Sequence, residues 1–208
     1  MTKGTSGIRK QYNRIASIYD SLDTILERLF YRAWRRQLWE MVTTSSILEI
    51  GVGTGKNICF YPLGAQVTAI DISPTMLEKA AARATSKPDI VFELVTMDVS
   101  RLTFDAALFD VVIGSFIIMV VPDPLKVLQE VKRVCKPNGE LLLLEFTRSD
   151  NQLVAFLQDL VTPLTYAVYR AYLNRDIVKL VQDSGFKIIR IEEVEDGIAK
   201  IIQAVSSE

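Results

Sequence analysis

Glu49, Gly51, Gly53 and Gly55 fall within one short stretch, ILEIGVGTG, in which an apolar run ends in a carboxylate and then in three alternating glycines. Glycine takes positive φ at little cost and lets backbone approach a ligand with no Cβ in between. A strand that empties into such a loop and then into a helix makes a nucleotide-sized crevice at the strand's carboxyl end. The chemistry expected there is the binding of an adenosine-like group. Two phosphate-binding signatures are excluded by spacing. A dinucleotide loop needs its third glycine one residue later than Gly55, and a phosphate loop needs glycine where Ile50 stands and a hydroxyl residue where Asn57 follows Lys56. Glu49 would also repel a pyrophosphate, whereas it suits a cationic ligand such as S-adenosylmethionine, which carries a sulfonium and an ammonium and no phosphate.

The elements that position these residues alternate. QVTAID (Gln66 to Asp71) reads as a buried strand ending in a carboxylate, followed by a helix with Ser73 as N-cap and Pro74 as its first residue. Asp71 is thereby placed where the ribose hydroxyls of a bound adenosine lie. A third strand, IVFELVTMD, ends in Asp98, a carboxylate able to accept a hydrogen bond from an adenine amino group. Phe109 to Phe116 forms a fourth strand, Pro124 to Cys135 a helix, and Gly139 opens a fifth strand, ELLLLEF. Such alternation implies a parallel sheet covered on both faces. FKIIRIEEVEDGIAKIIQAV then supplies two alternating apolar runs joined at Asp196-Gly197, a strong hairpin signal. An antiparallel hairpin closing a parallel sheet is unlike a dinucleotide fold.

These residues resemble the class I S-adenosylmethionine-dependent methyltransferases. EIGVGTG is similar to their cofactor loop, AIDISPTML to their second-strand motif, and TMDVSRLTFDAALFDVV to the stretch joining strands three and four. Met119 to Pro124 followed by VLQEVKRVCKPNGELLLLEF is similar to the subgroup that methylates phospholipid head groups, quinones and small thiols. The likeness runs from about Tyr12 to the end of the chain. It implies an α/β, Rossmann-like sheet of seven mostly parallel strands with helices on both faces. It further implies one domain over residues 1–208: a helical lid at 1–40, a cofactor core at 46–146, an acceptor-side insertion at 147–185 and the hairpin at 186–205. The cofactor implied is S-adenosyl-L-methionine, with S-adenosyl-L-homocysteine as product. The contacts that carry over are Glu49, Gly51, Gly53, Thr54, Gly55, Asp71, Ile72, Met76, Asp98 and Val99, with Ser115 and Phe116 beside the reactive methyl. Tyr12 and Tyr19 match the tyrosine-bearing lid, where a ring can face a sulfonium or the alternative of helix packing applies. Val52 and Asn138 depart from the family's usual small residue or cysteine and glycine.

Composition fits a single core: 208 residues, 49% of them apolar. VVIGSFIIMVV stops at Pro122, short of a membrane span, and no apolar leader precedes the domain. Cys59 and Cys135 form no paired framework, which suits a reducing cytosol. With no histidine in the chain, zinc has few ligands and no metal is expected. Net charge is minus one overall, yet residues 1–40 hold eight basic side chains (Lys3, Arg9, Lys10, Arg14, Arg28, Arg32, Arg35, Arg36) against Asp20, Asp23, Glu27 and Glu40. Leu22, Ile25, Leu26, Leu29, Phe30, Ala33, Trp34 and Leu38 follow helical spacing and leave the arginines toward the other face. Such an arm either lies on an anionic membrane surface, making the enzyme peripheral, or packs on the sheet with a solvated face. No nucleic-acid partner is expected, since the chain lacks a strongly basic domain.

Methyl transfer from a sulfonium is an in-line displacement whose main demand is alignment of donor and acceptor at roughly 3–3.5 Å. Without histidine, any general base must come from Tyr19, Tyr12, Asp20, Glu145 or water. Glu145 ends the fifth strand and either faces the pocket, with its pKa raised by burial, or partners an arginine. The insertion AFLQDLVTPLTYAVYRAYL offers Phe156, Leu160, Leu164, Tyr166, Tyr169 and Tyr172 to line an acceptor cavity or to cover the sheet. The basic lid and apolar insertion together favour a lipid or apolar small molecule, first a phospholipid amine. A thiol, sulfide or quinone is the alternative within the class, and a noncatalytic adenosine-cofactor-binding module is the alternative outside it.

Overall fold

The computed structural model describes Gly7 and residues 30–85, 91–194 and 197–207. Seven strands form one sheet in the order β3-β2-β1-β4-β5-β7-β6. β1 (Ser46–Ile50), β2 (Gln66–Asp71), β3 (Val91–Thr96), β4 (Phe109–Ser115) and β5 (Cys135–Phe146) run parallel. β6 (Phe186–Val194) and β7 (Ala199–Ser206) form the expected hairpin, with β7 inserted antiparallel between β5 and β6. Gly197, at φ +79°, supplies the left-handed turn residue; Asp196 lies outside the described residues. Chain order reverses between β1 and β4, and a crevice opens at the carboxyl ends of strands at such a switch point.

Side chains alternate across the sheet and fill two cores. Leu48, Ile50, Val112, Leu141 and Leu143 pack on one face; Ile47, Val111, Ile113, Leu142 and Leu144 pack on the other. The first face is covered by α3 (Pro124–Val134) and α5 (Ile177–Asp183), through Val127, Leu128, Val131, Ile177 and Val181. The second is covered by α1 (Arg32–Glu40) and α2 (Pro74–Ala84). Caps stand where the residue types demand them: Ser73 accepts from Met76 N–H, Asp123 from Lys126 N–H and Asp176 from Lys179 N–H.

Two expectations about these elements need correction. The fifth strand begins at Cys135, which pairs with Phe109, and regular pairing resumes only at Glu140 opposite Val111. The residues between them bulge through Asn138, at φ +60°, the conformation for which the family uses glycine and which asparagine tolerates. In α1 the buried face is Trp34, Arg35, Leu38 and Trp39, whereas Phe30 and Ala33 are exposed. The stripe is thus rotated by about one residue from the apolar pattern, and it takes an arginine inward.

Candidate active site

The loop after β1 is held by the end of β2. Val52 N–H donates to Ile70 O at 3.0 Å, and Gly53 N–H donates to Asp71 Oδ2 at 2.9 Å, while Asp71 Oδ1 accepts from Ser73 N–H at 2.8 Å. Both Asp71 oxygens are thus held by backbone amides, and the carboxylate still lines the crevice as an acceptor. Burial raises the pKa of this carboxyl, and its backbone donors oppose that shift. Asp98 Oδ1 accepts from both the amide and the hydroxyl of Ser100 at 2.9 and 2.7 Å.

The crevice is lined by Gly51, Gly53, Thr54, Asp71, Ile72, Met76, Asp98, Val99, Ser115 and Phe116, all anticipated from the sequence. Phe116 takes φ +58°, an outlier for a bulky residue, held by its N–H to Leu144 O at 2.8 Å and by stacking on Phe146 at 5.1 Å. Lys56, Met97, Ser100, Ile117, Val120 and Arg35 also stand in the wall and had not been singled out for the site. Arg35 donates to Asn57 Oδ1 at 3.0 Å and lies 5.1 Å from the Phe116 ring centroid. Trp34-Arg35 and Leu38-Trp39 repeat at helical spacing, which sets Arg35 beside the aromatic face but does not reveal its partners.

Three anticipated residues stand elsewhere, and each placement corrects an expectation. Glu49 shares the sheet face of Ile47, fully buried behind the crevice wall, where it accepts from Asn57 Nδ2 at 2.6 Å and from the Tyr61 hydroxyl. Burial raises its pKa from 4.5 to about 7. Gly55 faces the packing of the loop on α2: a Cβ there would lie 2.6 Å from Ile58 Cδ1 and 2.9 Å from Ala80 Cα. Glu145 does not reach the crevice as a base. Its carboxylate accepts the amides of Ile117, Ile118 and Met119 at 2.8, 2.7 and 3.2 Å, fixing the loop after β4. Burial raises it too, to about 7, against these amides and the charge of Arg175. Tyr12, Tyr19 and Asp20 lie outside the described residues.

Phe156, Leu160 and Leu164 do not line the crevice either. They stand on the outer face of α4 (Gln152–Tyr169), 61%, 67% and 68% exposed.

The residues present fit S-adenosylmethionine. A Cβ at Gly53 would meet nothing nearer than Gly51 O at 4.0 Å, so its absence widens the crevice rather than easing packing. Asp71 and Asp98 offer carboxylates for hydroxyl and amino donors, Ile72, Met76 and Val99 apolar surface for a purine, and Lys56 a cation for a carboxylate. Gly53→Ala is accordingly expected to weaken S-adenosylhomocysteine binding by at least about tenfold, with only about 1 kcal/mol lost to its φ of +55°. Gly55→Ala is expected to do the reverse, costing on the order of 2 kcal/mol of stability with a smaller effect on affinity. Calorimetric titration and urea melts of the two variants check this; equal behaviour would contradict the assignment.

Comparison with known proteins agrees with this geometry. Residues 48–143 match the model of a methyltransferase domain. The chain is 31% identical over 199 residues to a demethylmenaquinone methyltransferase of Tropheryma whipplei (strain Twist), covering 93% of this chain and 78% of that protein. It is 38% identical over 111 residues to a phosphatidylethanolamine N-methyltransferase of Cereibacter sphaeroides, covering 52% of this chain and 55% of that one. A solved methyltransferase from Methanosarcina mazei superposes with a TM-score of 0.65 at 24% identity, over 81% of this chain and 95% of that chain, a likeness of fold. With a glycine loop over a switch point, carboxylates at the ends of β2 and β3 and a relative matched over 93% of this chain and 78% of its own length, the chain belongs to the class I S-adenosylmethionine-dependent methyltransferases.

Proposed function

We propose that this methyltransferase acts on a lipid-borne acceptor that ionises to an anion, a prenylated quinol ring ahead of a phospholipid amine. Arg35 is the observation that carries the preference. A buried guanidinium at the crevice wall beside Phe116 repels an ammonium acceptor and stabilises a phenolate. The demethylmenaquinone enzyme's likeness spans 93% of the chain, including the α4 region, whereas the phosphatidylethanolamine enzyme's spans 52%. On this reading the quinol stands ahead of the phospholipid amine, which the sequence placed first.

In this reading S-adenosylmethionine, when bound, supplies a methyl group activated on a sulfonium. Asp71 and Asp98 would hold its ribose hydroxyls and adenine amino group, and Ser115 and Phe116 would flank the methyl. Methyl transfer to the ring carbon of the quinolate would break the methyl–sulfur bond and leave a neutral thioether. The ring proton would then leave to water, and the quinol oxygen, whose own proton went to water on ionisation, would recover one, so that one proton is released in all. Arg35 lowers the pKa of the quinol hydroxyl, so the ring reacts as its more nucleophilic anion without a histidine base. Glu145 holds the loop carrying Ile117, Ile118 and Met119, and so the position of Phe116.

The test offers labelled S-adenosylmethionine to the enzyme with a detergent-dispersed prenyl-naphthoquinol, phosphatidylethanolamine or a small thiol. Label is expected in the quinol, with Arg35→Met reducing the rate by on the order of 100-fold. Label in phosphatidylethanolamine alone would restore the phospholipid reading.

A further inference from the structure

α4 is built inside out for a helix facing water. Its buried face is Ala155, Gln158 and Thr162; Gln158 donates to Thr147 O at 2.8 Å and accepts from Ser149 N–H at 2.9 Å. Its outer face carries Leu153, Phe156, Leu157, Leu160, Val161 and Leu164, spaced by three and four and 42% to 68% exposed. The helix has one charged side chain, Asp159, which is bound to Arg148 at 2.8 Å and to Asn174 at 2.8 Å. α4 is not long and apolar enough to cross a membrane.

We propose that this face of α4 docks the enzyme on a bilayer surface containing anionic lipid, the leucines and Phe156 entering the acyl boundary. The occupant follows from charge and position. The uncharged stripe ends at Arg170 and Arg175, with the Tyr166 and Tyr172 rings tilted against each other at 4.7 Å near that end, while Arg148 at the other end is paired with Asp159. Cations and amphipathic tyrosines at one end of an apolar stripe match a headgroup layer. A second copy would present the same uncharged stripe and the same arginine-marked end, and so offers no charge match. Position agrees. Tyr172 N–H donates to Met119 O at 3.0 Å, and Arg175 donates to Ile118 O and Val121 O at 2.7 Å, so the end of α4 is tied to the loop lining the crevice. A bilayer against α4 lies beside the entrance through which a lipid-borne acceptor comes. That last point rests on the acceptor reading above; the docking itself does not.

Flotation of the full chain with phosphatidylcholine vesicles, with and without phosphatidylglycerol, tests the proposal on wild type and on the Leu160→Glu, Leu164→Glu double variant. Wild type is expected to float with the anionic vesicles and the variant's partitioning to fall by on the order of tenfold or more. Its melting temperature and S-adenosylhomocysteine affinity are expected to stay unchanged. Equal flotation of the two proteins, or none by wild type, would overturn the proposal. So would light scattering that finds a wild-type dimer split by the double substitution, which assigns the face to a second copy. Transfer to detergent-dispersed quinol does not need docking, so failure of the acceptor reading shows there while flotation persists.

Discussion

Asn57→Leu is expected to destabilise the protein by about 3–4 kcal/mol and to weaken S-adenosylhomocysteine binding in the same variant. Asn57 is 3% exposed and joins three groups. It accepts from Arg35 and donates to Glu49 Oε1 and, at 3.2 Å, to Ser115 Oγ. Hydrogen bonds to charged partners contribute about 1.5–3 kcal/mol each, and a buried group stripped of its partner bears its desolvation cost in full. Leucine conserves the volume, so the effect reads polar pairing rather than a cavity. Because Arg35 and Ser115 both line the crevice, their release should reach the ligand as well. Urea unfolding and calorimetry check both halves; a loss below about 1 kcal/mol would show that the network is solvated rather than structural.

The second large effect is on pH. Glu49 and Glu145 are each raised from 4.5 to about 7, chiefly by burial. Between those values the folded chain keeps protons that the unfolded chain releases. The stability they confer is therefore full below about pH 4.5, declines as pH rises and is gone above about 7. Each group accounts for on the order of 3 kcal/mol across that window. Glu130, Asp150 and Asp159 are shifted downward by their Arg and Lys partners; Asp150 and Asp159 are exposed and Glu130 partly so, so their opposite contribution is small and falls below about pH 4.5. Unfolding free energy is expected to drop from pH 5 to pH 8, and Glu145→Gln to flatten the slope, the remainder belonging to Glu49 and to Asp71, which burial also raises. Glutamine keeps one acceptor oxygen for the amides of residues 117 and 118 but sets an amide donor near Met119 N–H, so a modest offset in stability accompanies the flatter profile. A wild-type stability that stays level or rises over this range would contradict the assignment.

Much of the fold was legible because local chemistry and global role coincide. The alternating glycines, Ser73 before Pro74 and the Asp196-Gly197 turn each specify a backbone conformation on their own. The crevice lining was legible for the same reason, being backbone at strand ends. What was not legible depended on which side of an element a side chain takes. Glu49 and Glu145 sit near the ligand in sequence, yet the two-residue period of their strands turns them behind the wall and under the loop after β4. Arg35 reads with the other arginines on the polar face of the arm, toward a membrane surface or solvent, but Asn57 and Phe116, far away in sequence, give it partners inside. The outer face of α4 reads as core by composition; only burial reveals that Gln158 and Thr162 face inward and the leucines outward.

The most direct test of the central claim, that the crevice at the β1–β4 switch point takes the methyl donor, is calorimetric titration of the wild-type chain with S-adenosylhomocysteine and, in parallel, with NADH. Saturable binding of S-adenosylhomocysteine alone, weakened at least about tenfold in Gly53→Ala, is the result this account predicts. Binding of NADH alone, or S-adenosylhomocysteine affinity indifferent to Gly53→Ala, would contradict it.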